Sequence, residues 1–301
     1  MMAGSAPNAS DAQTDADTDL WVRVRRVGTD LLVVATRELR TIARTPALLS
    51  LAAAFAVSLV AVAWAGTGGG GGFVPLTLDL LVFVEVLVPL LAVAFGYRSI
   101  LGDRETGELD VLRTFDVSRF AYVGGIYLGR ALALVSIVVG SLFAVGLAVP
   151  FLSVDVSTFL AVNAAADSGV RYVRFVVLSV IFTLVVLAVM VAISAAARTV
   201  RTAFALATTF AAVLVLGIDT TLVAGLAAGL VSEESLATLL ALSPNSAFRG
   251  LVLSTAVGTV SGAAVSAGTP LTNLAGLGWW WLGGVGVAVW RVWPAVDEPR
   301  N

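Results

Sequence analysis

Long apolar stretches alternate with short charged ones along this chain, and the alternation sets the element reading. Uncharged runs cover Ala47–Leu78, Ala131–Val154, Phe175–Ala197, Thr202–Ile218 and Gly250–Trp290, and Leu80–Tyr97 is broken only by Glu85. A helix needs about 20 apolar residues to cross the hydrocarbon core, so the pattern predicts an all-α, polytopic membrane protein with six transmembrane helices. Ahead of the first run, Leu32, Ala35, Leu39 and Ile42 recur at helical spacing, while Arg37, Arg40, Thr41 and Arg44 take the other side. A basic amphipathic helix beside a membrane span is expected to lie in the headgroup plane. Pro46 suits a first helical position, which predicts that Thr45-Pro46 opens the first span.

Two runs are longer than a crossing needs. Thr202–Ser232 carries one charge, Asp219, and as a straight helix it would extend about 46 Å against a core of about 30 Å. Gly250–Trp290 is longer still, and its first half is rich in Ser, Thr, Gly and Ala. The excess is expected to form short, partly buried elements between the fifth and sixth spans, not a seventh crossing. The GTGGGGG run at Gly66–Gly72 has no preceding strand and no following cation; it reads as a flexible linker. The tryptophans at 279–281, 290 and 293 suit interface anchoring or packing.

Composition agrees with the pattern. The chain is 13% charged, against about 25% in soluble domains, and its mean hydropathy is +0.97. It has no Cys, His or Lys. That rules out disulfides and thiolate metal sites, removes the commonest general base, and excludes a Walker A loop, which ends in Gly-Lys-Ser/Thr. Residues 1–28 form an acidic tail with no apolar core, expected to be disordered; residues 29–301 form the membrane domain.

Arginine placement orients the spans. With the N-terminus cytoplasmic, the inner segments hold Arg23, Arg25, Arg26, Arg37, Arg40, Arg44, Arg98, Arg104, Arg113, Arg119, Arg130, Arg198, Arg201, Arg291 and Arg300, and the outer ones only Arg171, Arg174 and Arg249. Fifteen against three obeys the positive-inside rule and places both termini in the cytoplasm.

The segment Arg98–Arg130 then faces the cytoplasm and carries ten charged residues. Thr106-Gly107 predicts a turn, Glu108–Phe115 a helix of about two turns with Leu109 and Leu112 on its apolar side, and Asp116 or Ser118 a cap for the next helix. A short helix with one apolar side at a membrane surface suits a socket on another protein. The run Glu105-Thr106-Gly107-Glu108-Leu109-Asp110-Val111-Leu112, followed by Val117-Ser118-Arg119 and Gly129-Arg130, resembles the E-x-G-T-L-E-x-L-L … P-V-S-R … G-K signature of ABC-2 type permeases. It departs at Glu108 (usually Thr), Asp116 (usually Pro) and Arg130 (usually Lys). Thr36-Arg37-Glu38-Leu39 with Arg44 resembles the family's amphipathic first helix. Ser243-Pro244-Asn245-Ser246-Ala247-Phe248-Arg249 resembles the N-P-x-x-x-F-R region of a branch that includes the permease of the exporter maturing the copper site of nitrous oxide reductase.

The resemblance implies a permease subunit in the plasma membrane, expected to export. It implies a second permease copy, identical or related, and a cytoplasmic ATP-binding subunit that carries the ATP, so that this chain is not itself an enzyme and binds no cofactor, metal or nucleic acid directly. It also implies that the loop between the second and third spans couples to the ATPase, through Glu105, Gly107, Leu109, Leu112 and Arg119. Glu85 and Asp219 are the two carboxylates within the apolar runs. They are candidates for the transport path, or else acids hydrogen-bonded between helices or reaching the headgroups. An ion-coupled secondary transporter is the alternative reading; it would use such intramembrane acids, but no inverted repeat accompanies them. An intramembrane enzyme would need paired carboxylates or a Ser site that the chain does not display.

Because the chain has no Cys, a single Cys at Ser118 tests the orientation. It is expected to resist an impermeant thiol reagent added to intact cells and to react after permeabilisation; labelling from outside would reverse the topology.

Overall fold

The computed structural model describes residues 9–66, 72–115, 117–152, 168–229, 232, 239–257 and 269–293. Its elements are α1 (Ala9–Ala43), α2 (Pro46–Ala65), α3 (Phe73–Gly96), α4 (Leu101–Glu105), α5 (Glu108–Thr114), α6 (Arg119–Leu152), α7 (Gly169–Ala196), α8 (Val200–Ala212), α9 (Ile218–Ala227), α10 (Pro244–Leu251) and α11 (Pro270–Arg291). Among the described residues five stretches are long and apolar enough to cross a membrane: Pro46–Ala65, Phe73–Glu105, Arg119–Ala148, Gly169–Ala196 and Val200–Gly217. The sixth helix of the expected set, α11, has 22 residues, but its glycines and tryptophans keep its hydropathy low.

The bundle is built around α7. In its most apolar stretch 67% of the residues are buried, against 17% for α2 and 22% for α8. Helices α3, α6 and α11 surround it. Two buried hydroxyls on α7 donate within the helix, Ser179 to the Phe175 carbonyl and Thr183 to the Ser179 carbonyl, so neither is left unpaired away from water. Gly284 lets α11 lie directly on α7: a β-carbon there would stand 2.8 Å from the Ala188 carbonyl carbon. In hydrocarbon, helix association runs on such close approach. In contrast α2 is attached along one narrow seam, Phe55, Leu59 and Ala63, and α8 along another, Ala203, Ala207 and Ala211.

Several expectations shift. Helix α1 begins at Ala9, so residues 9–28 are helical where a disordered tail was expected; no Gly or Pro interrupts the sequence from Ala9 to Val27. Residues 1–8 lie outside the described residues. The inward face of α1 carries Val34, Ala35, Glu38 and Ile42, while Leu32 is exposed. The helix is rotated from the face its apolar spacing picks out because α6 offers it a glycine seat. At Gly125 a β-carbon would lie 2.6 Å from the Val34 β-carbon, and at Gly129, 2.6 Å from the Ala35 carbonyl oxygen. This Gly-x-x-x-Gly spacing brings two backbones together, and Ala35 and Glu38 are what fit there.

Pro46 starts α2 as expected, but Thr45 does not cap it with its side chain; its hydroxyl donates back to the Thr41 carbonyl. Helix α3 starts at Phe73, earlier than the charge pattern indicated. The long fifth run is accommodated by widening: α8 passes through a π-helical stretch, Val213–Gly217, into α9. Ahead of α11, α10 and a π-helical stretch, Val252–Val257, form a short buried element, in keeping with the extra structure expected there. Of the glycine run, residues 67–71 lie outside the described residues.

The seat for α1 gives a direct test. Gly129→Leu is expected to lift α1 off α6, an overpacking change of about 1–3 kcal/mol, read as at least about tenfold faster amide exchange over residues 29–43. Gly140→Leu, where a β-carbon meets nothing within 4 Å, is expected to leave that exchange unchanged.

Candidate functional site

The charged segment folds back under the bundle as α4, a glycine turn and α5. Its start is pinned by Ser194 near the end of α7: the hydroxyl accepts from the backbone N–H of Ile100 (3.0 Å) and Leu101 (3.1 Å), donors a helix start otherwise leaves unpaired. Arg104 then reaches the last carbonyls of two helices. It donates to Ala197 (2.9 Å) and Ala195 (3.1 Å) after and within α7, and to Val292 (3.4 Å) at the end of α11. The planar, multi-donor guanidinium suits that role where a lysine would not. Gly107 has φ +76°, a left-handed conformation that costs other residues energy, and it turns the chain into α5. The expected cap follows, as Ser118 Oγ accepts from the Ala121 N–H. The alternative cap, Asp116, lies outside the described residues.

A second set of charges ties this segment to α1. Arg37 donates to Asp103 (2.5 Å), Glu108 (3.0 Å) and Glu38 (3.1 Å). Asp103 also accepts from the Tyr122 hydroxyl (2.7 Å). Glu38, almost fully buried, pairs with Arg130 at 2.7 Å, and Arg130 in turn donates to the Phe95 carbonyl near the end of α3. Burial disfavours the Arg37 charge, but the hydrogen bond and charge of Asp103, with Glu38 behind them, outweigh it and hold the guanidinium pKa above its ordinary value. Acid and base from α1, α4, α5 and α6 thus form one network. The pattern Arg37-Glu38 was visible in the sequence as part of a motif; its partners in space were not.

The residues expected to face a partner divide. Glu105 pairs with Arg98 (3.2 Å) and remains partly exposed. Arg119 is exposed and forms no ion pair among the described residues. Leu109, however, is buried and Leu112 half-buried, both against the permease core. The apolar side of α5 is thus its inner side, as amphipathic periodicity ordinarily means. Outward stand Val111, 56% exposed, and Phe115, 72% exposed. The outward apolar pair was missed because the stripe was assigned to the partner instead of to the core.

At the other end of the bundle Glu85 is buried, held by the Arg249 guanidinium through two bonds, Nε–Oε1 at 2.8 Å and Nη2–Oε2 at 2.5 Å. Glu85 lies twelve residues after the α3 start at Phe73, about 18 Å along the helix and so near its middle. Arg249 reaches it from α10. Of the two roles raised by the sequence, this geometry matches an acid bonded between helices. Asp219 falls in the first turn of α9; its side chain lies outside the described residues. Arg171 and Arg174, at the start of α7, donate to the carbonyls of Val257 (2.8 Å) and Thr255 (3.0 Å), so all three arginines that the charge count placed outside anchor the α10 element.

A bundle of membrane-length helices with a braced amphipathic helix beneath it is the membrane component of a transport system. The chain matches the ABC-2 family transporter proteins over residues 2–291, nearly its whole length, and it belongs to that family. It is therefore a multi-pass membrane permease component of an ABC transporter. No curated protein matches it.

The Glu85–Arg249 pair yields a double-mutant test. Arg249→Ala is expected to lower stability by about 3 kcal/mol, because a carboxylate then stays buried without its guanidinium. Glu85→Leu combined with Arg249→Leu is expected to recover most of that loss, read by thermal unfolding of the purified protein in detergent.

Proposed function

We propose that this permease works as a dimer, with two ATP-binding subunits docked beneath it on the cytoplasmic side, and that it exports its substrate. In this reading α11 is the sixth crossing and both termini face the cytoplasm. ATP is hydrolysed on the partner. Helices α2 and α8, each attached by a single seam, are the surfaces left for the second permease copy and the bilayer.

One observation carries the reading: α5 presents Val111 and Phe115 outward while Leu109 and Arg37 hold it from behind. A docking helix has to transmit force, and an unbraced one would only bend. The side chains proposed to touch the ATP-binding subunit are therefore Val111 and Phe115, flanked by Glu105 and Arg119, with Gly107 setting the turn and Leu109 and Leu112 seating the helix. The ion-coupled alternative is weakened by Glu85: a coupling carboxylate has to gain and lose its ion, and this one is occupied by Arg249.

Phe115→Asp is expected to leave the permease as stable as wild type and to abolish co-purification of a Walker A-bearing ATPase subunit. Leu109→Asp is expected instead to destabilise the permease itself by about 2 kcal/mol or more, as a charge is forced into its core. A Phe115→Asp permease that still retains its ATPase at wild-type yield would overturn the docking surface.

A further inference from the structure

Helices α2, α3 and α8 enclose a groove of about 1150 Å³ that ends at the charged network beneath the bundle. That is at or above the upper range for small-molecule sites, about 300–1,000 Å³. Its walls differ from end to end. Away from the network it is lined by Leu51 and Ala54 of α2, Leu90 and Val93 of α3, and Phe204 of α8. At the network it is lined by Arg37, Arg98 and Arg130 together with Glu38, Asp103 and Glu108, three cations against three anions. At that same end lies Ser99, 1% exposed, whose hydroxyl has no hydrogen-bond partner. The other small hydroxyls on the groove wall are satisfied: those of Thr41, Thr45, Ser50 and Thr208 each donate to a carbonyl three or four residues back.

We propose that this groove binds an amphiphile, with a small zwitterionic or hydroxylated head against Ser99 and the charged network and an aliphatic tail along α2, α3 and α8, and that such a molecule is the transported substrate. The step from binding to transport rests on the permease reading above. The charge balance selects the head: a polyanion or polycation would meet as much repulsion as attraction, while a zwitterion finds both signs within one mouth. The apolar wall excludes a fully hydrophilic solute, because its polar groups would be desolvated there without partners. The buried hydroxyl of Ser99 is a group that a head bearing a donor or acceptor would satisfy.

The probe is lysophosphatidylethanolamine with a photoreactive diazirine at the end of its tail, added to the full chain in nanodiscs of phosphatidylcholine. Labelling is expected on the groove faces of α2, α3 and α8, competed away by excess lysophosphatidylcholine. Ala54→Trp and Thr208→Trp each fill the groove from a different helix and are expected to cut labelling at least about fivefold. Ser99→Ala is expected to weaken competition about fivefold, the effect of one hydrogen bond, without lowering the unfolding temperature, since the hydroxyl has no protein partner to lose. Labelling that is no greater in the groove than at Trp64 and Trp279, both exposed on the outer surface, would mean annular lipid only and overturn the site. Disulfide formation between two copies carrying Cys at Ala54, in place of labelling, would show the groove to be filled by a second permease and would also overturn it. The binding readout needs no ATPase, so loss of ATPase co-purification would sink the permease mechanism and leave the site standing, and the reverse result would do the opposite.

Discussion

A helix that ends inside a membrane protein leaves its last carbonyls without partners, and hydrocarbon offers no water to supply them. This chain answers with arginine. Arg104 serves the ends of α7 and α11, Arg130 the end of α3, and Arg171 and Arg174 the π-helical stretch after α10. A guanidinium has five donors in a fixed fork and keeps its charge at any physiological pH, so one side chain can hold two helix ends at a set distance. The rest of the arrangement depends on these pins. Without Arg104, α4 and α5 would hang from a single hydroxyl, that of Ser194.

The two attachments of the coupling segment lead to different parts of the bundle. Ser194 and Arg104 join it to α7 and α11, the most enclosed pair. Arg37, through Asp103 and Glu108, joins it to α1, which sits on the glycine seat of α6. A displacement of α5 is thereby divided between the core and the surface helix. Helices α2 and α8 receive it only indirectly, across α3, and these are the walls of the groove. Force enters at a rigid place and is delivered to the loosely attached helices.

The local elements were legible in the sequence because local rules govern them. Gly107 requires its left-handed turn, Pro46 opens a helix, and Ser118 caps one; each follows from one or two residues. Facing directions were not legible. Leu32 fits the apolar spacing of α1 better than Glu38 does, yet Glu38 is the buried one, since Arg130 on another helix neutralises it and Gly129 makes room. Leu109 and Leu112 were visible as an apolar stripe, but a stripe does not say whether it meets its own core or a partner. The Glu85–Arg249 pair joins residues 164 positions apart, and nothing in the spacing of either announces the other. The charge count was a different case. It treated Arg171, Arg174 and Arg249 as exceptions, although all three are internal supports of a short buried element.

The single seam of α2 has a consequence for how such a chain changes over time. Only Phe55, Leu59 and Ala63 of its 20 residues are buried; at the other positions a change of one apolar side chain for another alters little within this subunit. The Ala203–Ala207–Ala211 seam of α8 leaves the same freedom. Large parts of the sequence can therefore drift at nearly constant fold, while the turn, the pins and the glycine seat resist substitution. Recognition of the lineage then rests on a sparse set of anchored positions spread along the whole chain. A family pattern built from many members retains such positions, whereas comparison with any one distant relative is dominated by the drifting ones.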